Sequence, residues 1–205
     1  MFNSKVTAKE LVAELKKEVD IAIPISDASY VLWLNELEHL LYTEIIKEQK
    51  LYAKKIENAD AGILLLTAIP VAEEESPVRF EDIYAVYVDD VQLMKSTVAS
   101  GAIFKNTFFK QDESIGFNIN EDAKDLKIVY FVKPALKTVD EGGNAKEEYI
   151  SIPIEFMELV KDKLRGEAYK VANEDGLASK WLNEYNVLLE TFKVWINNKA
   201  AQFGM

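Results

Sequence analysis

The sequence predicts an α+β protein, helical at both ends, with a small antiparallel β region in the middle and a C-terminal antiparallel helix pair packed into one mainly helical core. Three observations predict it. Apolar residues recur at helical spacing over residues 27–50 and again over residues 153–200. Between them lie short runs rich in β-branched and aromatic residues, separated by turn-forming and acidic stretches. With 205 residues, 49% of them hydrophobic and 29% charged, the chain is long enough to bury a core and has the balance of a globular domain. Residues 1–205 read as a single domain, with 1–60 helical, 61–150 a β-rich insertion with acidic loops, and 151–205 a helical hairpin.

The elements follow in order. TAKELVAELKKEV opens on a capping box, in which Thr7 caps and Glu10 stands three positions on. Leu11, Val12 and Leu15 give this short helix its apolar side. Pro24 closes the connector, and Ser26 or Asp27 caps a longer helix, DASYVLWLNELEHLLYTEIIKEQK. Tyr30, Leu34, Leu37, Leu41 and Ile45 form its stripe, flanked by Val31, Trp33 and Leu40. GILLLTAI, between Gly62 and Pro70, is a short apolar run that suits a strand or a buried helical turn. EEESP is an acidic surface loop. FEDIYAVYVDDVQL alternates as a strand, with Asp89 and Asp90 at a hairpin turn, because aspartate tolerates turn dihedrals and bonds its own backbone. TFFKQ, IGFNI and LKIVYFVKP are further strands, and DEGGNAKEE is a flexible acidic loop. Pro153 takes the first position of a helix bearing Phe156, Val160, Leu164, Ala168 and Val171 on one face. Asp175 and Gly176 break and recap the chain, and Leu177, Trp181, Tyr185, Leu188, Phe192 and Trp195 stripe the last helix. Aromatic stripes of this kind are core.

Composition narrows the function. Zero cysteines and a single histidine, His39, leave no thiolate or paired-histidine metal site, so any metal would be a hard ion held by carboxylates. His39 has Glu36 three residues before it but no nucleophile beside it. No phosphate-cradling glycine loop is present. No cofactor is expected. Net charge is −11, divided as −3, −7 and −1 over residues 1–69, 70–148 and 149–205. With only two arginines, Arg79 and Arg165, the chain lacks the clustered cations that grip a nucleic-acid backbone. No apolar run reaches the roughly 20 residues that span a bilayer, and the acidic N-terminal helix is unlike a secretion signal, so a cytoplasmic protein without membrane association is expected.

Tyr-Val-Asp-Asp, residues 87–90, is also the tetrapeptide at the catalytic turn of many template-copying polymerases. That chemistry needs a third carboxylate from a separate strand to hold two ions about 3.5–4 Å apart. The preceding strand-like stretch offers only FEDI, too close in sequence, and no basic template groove accompanies it. A hairpin turn is the better reading, with a magnesium-carboxylate enzyme acting on nucleotides through Asp89 and Asp90 as the alternative.

The early helix with Trp33-Leu34-Asn35, the strand running into Lys133-Pro134, the Pro-initiated helix at Pro153 and the final helix with Glu184-Tyr185 together resemble the head-to-tail connector, or neck adaptor, proteins of tailed bacteriophages and prophages. The resemblance covers most of the chain and carries no catalytic residues. It implies a homo-oligomeric ring of twelve copies in the virion neck, assembled in the bacterial host cytoplasm below the portal protein. Such a ring joins capsid to tail, with a tail or stopper protein on its far side, and DNA passes through without specific binding. An acidic lumen, which the middle region would supply, repels phosphates. Under this reading Trp195, Phe203 and Met205 contact a neighbouring subunit or the portal. The long EEESP and DEGGNAKEE loops depart from the family's pattern. A monomeric bacterial binding module is the remaining alternative.

Overall fold

A computed structural model of the chain describes residues 5–46, 53–59, 64–65, 76–96, 105–119, 126–131 and 133–202. The chain divides into two compact units, one made of Met1–Leu51 with Pro134–Met205, the other of Tyr52–Lys133. The fold is α+β, as expected. The β-rich insertion expected over 61–150 is drawn at 52–133 by these units. Strand β1 (Ala53–Ala59) falls inside the stretch 1–60 expected to be helical, which is a correction. Its Ala-Lys-Lys-Ile-Glu-Asn-Ala sequence has little strand character of its own. Antiparallel pairing with β8 (Leu126–Phe131) decides the outcome, as tertiary context does for weak local preference.

In the first unit, α1 (Ala8–Glu18) starts on the expected capping box. The Glu10 amide donates to Thr7 Oγ1 at 3.2 Å, and the Thr7 amide donates to Glu10 Oε2 at 2.9 Å. Leu11, Val12 and Leu15 are buried. Ser26, not Asp27, caps α2 (Asp27–Leu40) by accepting from the Ser29 amide. Helix α2 then widens into a π-helical turn over Leu41–Ile46, a rare bonding pattern concentrated at functional positions. Tyr42 joins Leu41 in the core there, whereas Leu40, expected beside the stripe, is exposed.

Pro153 lies just outside a 3₁₀ turn (Ile154–Phe156), with ψ of 142°, and α3 (Met157–Val171) begins after it. The expected helical start at Pro153 is therefore displaced by a turn. Helix α3 is buried along most of its length through Leu159, Val160, Leu164 and Ala168, while Val171, expected on that face, is exposed. Asn173, at φ +60°, stops the helix. The Glu174 amide reaches the Tyr169 carbonyl and the Asn173 amide the Lys170 carbonyl, the two bonds of a Schellman closure. Asp175 and Gly176 thus open α4 (Asp175–Gln202) and do not break α3. The two helices come close at Gly166, where a Cβ would stand 2.7 Å from both Cγ and Cδ2 of Leu182.

The second unit holds two four-stranded sheets. One runs β1-β8-β3-β4, with β3 (Ile83–Val88) and β4 (Val91–Gln92), and is antiparallel throughout. The other runs β2-β7-β6-β5, with β2 (Leu64–Leu65), β5 (Met94–Ser96), β6 (Thr107–Gln111) and β7 (Ser114–Asn118). Only β5 and β6 pair in parallel there. A bulge opposite Tyr130–Val129 breaks the alternation of β3, leaving Ala85 and Val86 both buried. Glycine at 116 lets the Phe109 ring lie across it, since a Cβ would meet the ring at 2.5 Å. Phe80 and Phe108, with centroids 5.9 Å apart, pack in the interior of the unit. Asp82, buried beside Phe80, is paired with Lys133 at 2.6 Å. Of GILLLTAI, only Leu64 and Leu65 lie among the described residues, and EEESP lies outside them but for its last two positions.

Candidate functional site

Three places can be judged as sites. The first is the Asp89–Asp90 turn. Both residues have positive φ, 48° and 63°, and Val88 pairs with Val91, so this is the two-residue hairpin read from the sequence. Asp90 lies 2.6 Å from Lys127 on the adjacent strand, which holds its carboxyl below the usual range. A carboxylate engaged by a lysine is poorly suited to a cation. Among the described residues, no group of three or more histidines and carboxylates is placed to hold a metal ion.

The second place is the aromatic end of α4. Trp195 is partly buried, with centroids 5.3 Å from Phe156 and 6.2 Å from Phe192, the latter stacked. Phe192 and Ile196 are wholly buried. Phe203 and Met205 lie outside the described residues. The outward side of α4 instead exposes Val187 and Val194, two turns apart, and the outward side of α2 exposes Leu32 and Leu40. Their exposure is not legible in the sequence, because valine or leucine within a helical repeat reads as core until the buried face is known. His39 is exposed, and its carbonyl accepts from the Thr43 hydroxyl.

The third place is the segment after Lys133. DEGGNAKEE, expected to be flexible, is a built turn. Val139 bridges Ala145, the Gly143 amide donates to the Asp140 carbonyl at 3.0 Å, and the Asp140 carboxylate accepts from the Asn144 amide at 2.9 Å. Together with α1 it lines an open cleft of about 750 Å³, with Val12, Ala13 and Ala145 among the lining residues. The acids there are already engaged. Asp27 is bonded by Lys16 and by the Ala145 amide, Glu147 is paired with Lys9, and Glu148 accepts from the amide and hydroxyl of Thr138. The cleft therefore has no spare carboxylate among these for a metal.

Beneath that segment is a buried ionic cluster that the sequence reading missed. The Lys137 ammonium lies 3.2 Å from Glu38 Oε2 with both side chains at 2% exposure or less, an ion contact rather than an aligned hydrogen bond. The Ser151 amide donates to Glu38 Oε1 at 2.5 Å, and Tyr42 donates its hydroxyl to the Ser151 carbonyl at 2.9 Å. Asn35 grips the Lys137 backbone twice, accepting from its amide at 2.8 Å and donating to its carbonyl at 2.9 Å. Burial pushes the Glu38 carboxyl up, against the opposing pull of Lys137 and the Ser151 amide. A charged residue in an amphipathic helix ordinarily reads as solvated, and only its neighbours Leu37 and Leu41 hinted otherwise.

A second charged lattice ties α1 to α3 and α4. Arg165 contacts Glu18 at 2.5 Å, Asp162 at 2.7 Å and Glu158 at 3.3 Å, and its guanidinium lies 4.7 Å from the Trp181 ring centre. Each of the three acids of this lattice faces the Arg165 guanidinium, so the lattice ties the helices together. No described helix is long and apolar enough to cross a membrane. No protein-family model matches the chain, and no curated protein is significantly similar to it.

Proposed function

We propose that the chain is a structural subunit of a tailed-phage or prophage neck, assembling as a ring of twelve below the portal to join capsid to tail. The observation that carries the reading is that large apolar side chains are exposed on two different helices of the first unit, Leu32 and Leu40 on α2 and Val187 and Val194 on α4. Exposed apolar residues on two different elements of one subunit suit heterologous contacts, which close into rings when the rotation permits. The residues that carry the resemblance support it as well. Trp33-Leu34-Asn35 lies on α2, Pro153 leads into the terminal helix pair, and Glu184-Tyr185 lies within α4.

The inserted unit is the natural wall for passing DNA. It holds 14 acidic against 9 basic residues, so it repels phosphate and discourages adhesion. Imaging the protein by negative-stain electron microscopy, alone and with the portal protein of the same locus, tests the proposal. Rings with a central opening, stacked on the portal, are expected. Undecorated portals beside dispersed single subunits would overturn it.

A further inference from the structure

The segment 134–152 has no helix or strand of its own; it makes an isolated bridge to Thr7 at Tyr149 and folds on itself through a second, Val139–Ala145. Its attachments converge. Near one end, Lys137 faces Glu38 Oε2; near the other, the Ser151 amide bonds Glu38 Oε1. One carboxylate on α2 therefore closes the loop 137–151 at both ends. Asn35 and Tyr42, one turn to either side of Glu38, hold the same two points through the Lys137 backbone and the Ser151 carbonyl. Between those points the strap is tied by the Ala145 amide to Asp27, by Glu147 to Lys9, and by Glu148 and Ile150 to residues 6–8.

We propose that residues 134–152 form a strap latched to α2 by Glu38, which opens as one cooperative unit while α3 and α4 stay folded. The contrast in anchoring supports this. The strap buries Pro134, Ala145, Ile150 and Ile152 over its 19 residues, with Lys137 and Ser151 as buried polar groups, whereas α3 buries apolar residues at nearly every turn. Segments held by few buried apolar contacts open at lower free energy than the core. The latch couples the two ends, because one Glu38 carboxylate touches both and Asn35 and Tyr42 on the same helical stretch hold the same two points. The strap leaves Leu136 and Tyr149 exposed beside the two latch points, so its opening changes the apolar surface there. The strap follows directly on the inserted unit in sequence, and the π-helical turn carrying Tyr42 precedes that unit.

Hydrogen exchange read by mass spectrometry on the full chain tests the latch. In Lys137→Met, peptides over 135–152 are expected to exchange at least about tenfold faster than in the wild type, with α3 and α4 peptides unchanged. The same protection difference is expected without any mutation. In a urea series, wild-type strap amides should exchange through an opening with smaller urea dependence than the amides of Leu159–Leu164, which keeps the proposal testable if the variant does not fold. Strap amides that exchange only through global unfolding would overturn it, as would a Lys137→Met protein whose exchange rises uniformly across all helices.

Discussion

Gly166→Ala should destabilise the protein, and the sign of the effect is the informative part. In an exposed helix interior, replacing glycine by alanine stabilises by about 0.8–1.0 kcal/mol through backbone entropy. Gly166 is buried in α3, and its missing Cβ is the space that Leu182 of α4 fills. A Cβ would stand 2.7 Å from Leu182 Cγ and Cδ2 and 3.4 Å from the Leu182 amide nitrogen. Carbon atoms settle about 3.5–4.0 Å apart, so roughly 1 Å must be recovered by moving a branch point and the backbone behind it. Overpacking of that kind costs about 1–3 kcal/mol, which outweighs the propensity gain and leaves a net loss of about 1 kcal/mol. Urea unfolding followed by helical circular dichroism measures it. Pairing the change with Leu182→Ala should recover at least about 1 kcal/mol relative to the sum of the single variants, since the two sites share one contact. A Gly166→Ala protein more stable than the wild type would refute the close approach of α3 and α4.

Other outcomes follow from the same reasoning. Thr7→Ala removes the side-chain acceptor of the Glu10 amide and should cost about 1 kcal/mol in urea, with the loss showing first as fraying of α1. Asp89→Asn with Asp90→Asn should stay soluble and folded with a thermal midpoint close to wild type, because asparagine also tolerates positive φ, and neither form should show magnesium-dependent nucleotide turnover. Glu38 has a folded-state pKa raised by burial, so between its unfolded value of about 4.3 and that raised value the native state holds more protons than the unfolded one. Stability due to this group therefore falls as pH rises through that window. The deficit of Glu38→Gln relative to wild type should shrink over the same range, and urea titrations at successive pH values from 4 upward would show it; a deficit that grows with pH would contradict the sign.

Much of this architecture is written in local chemistry. Thr7 with Glu10 announces α1, Asp89-Asp90 announces a hairpin whose two central residues must both take positive φ, and LKIVYF announces β8, the strand between β1 and β3. What escaped a linear reading depends on partners distant in sequence. Strand β1 exists because β8 offers it a ladder, not because its own residues favour extension. Asn173 ends α3 with a conformation more often supplied by glycine, whereas the glycine of this stretch, Gly176, lies three residues further on. Segment 140–148 looked like a loose acidic loop, and its order comes from Asp27 and Thr138 as much as from its own Asp140–Asn144 turn. The Glu38–Lys137 pair is the clearest case, since two charges in polar-looking positions meet only after the chain has returned from the inserted unit.

The mass of the purified protein in solution, by light scattering after gel filtration, alone and mixed with the portal protein of its locus, is the most direct test of the neck-subunit account. The account predicts a ring alone or a defined co-complex many times the 23.3 kDa of one chain. A strict monomer that leaves the portal's mass unchanged would contradict it.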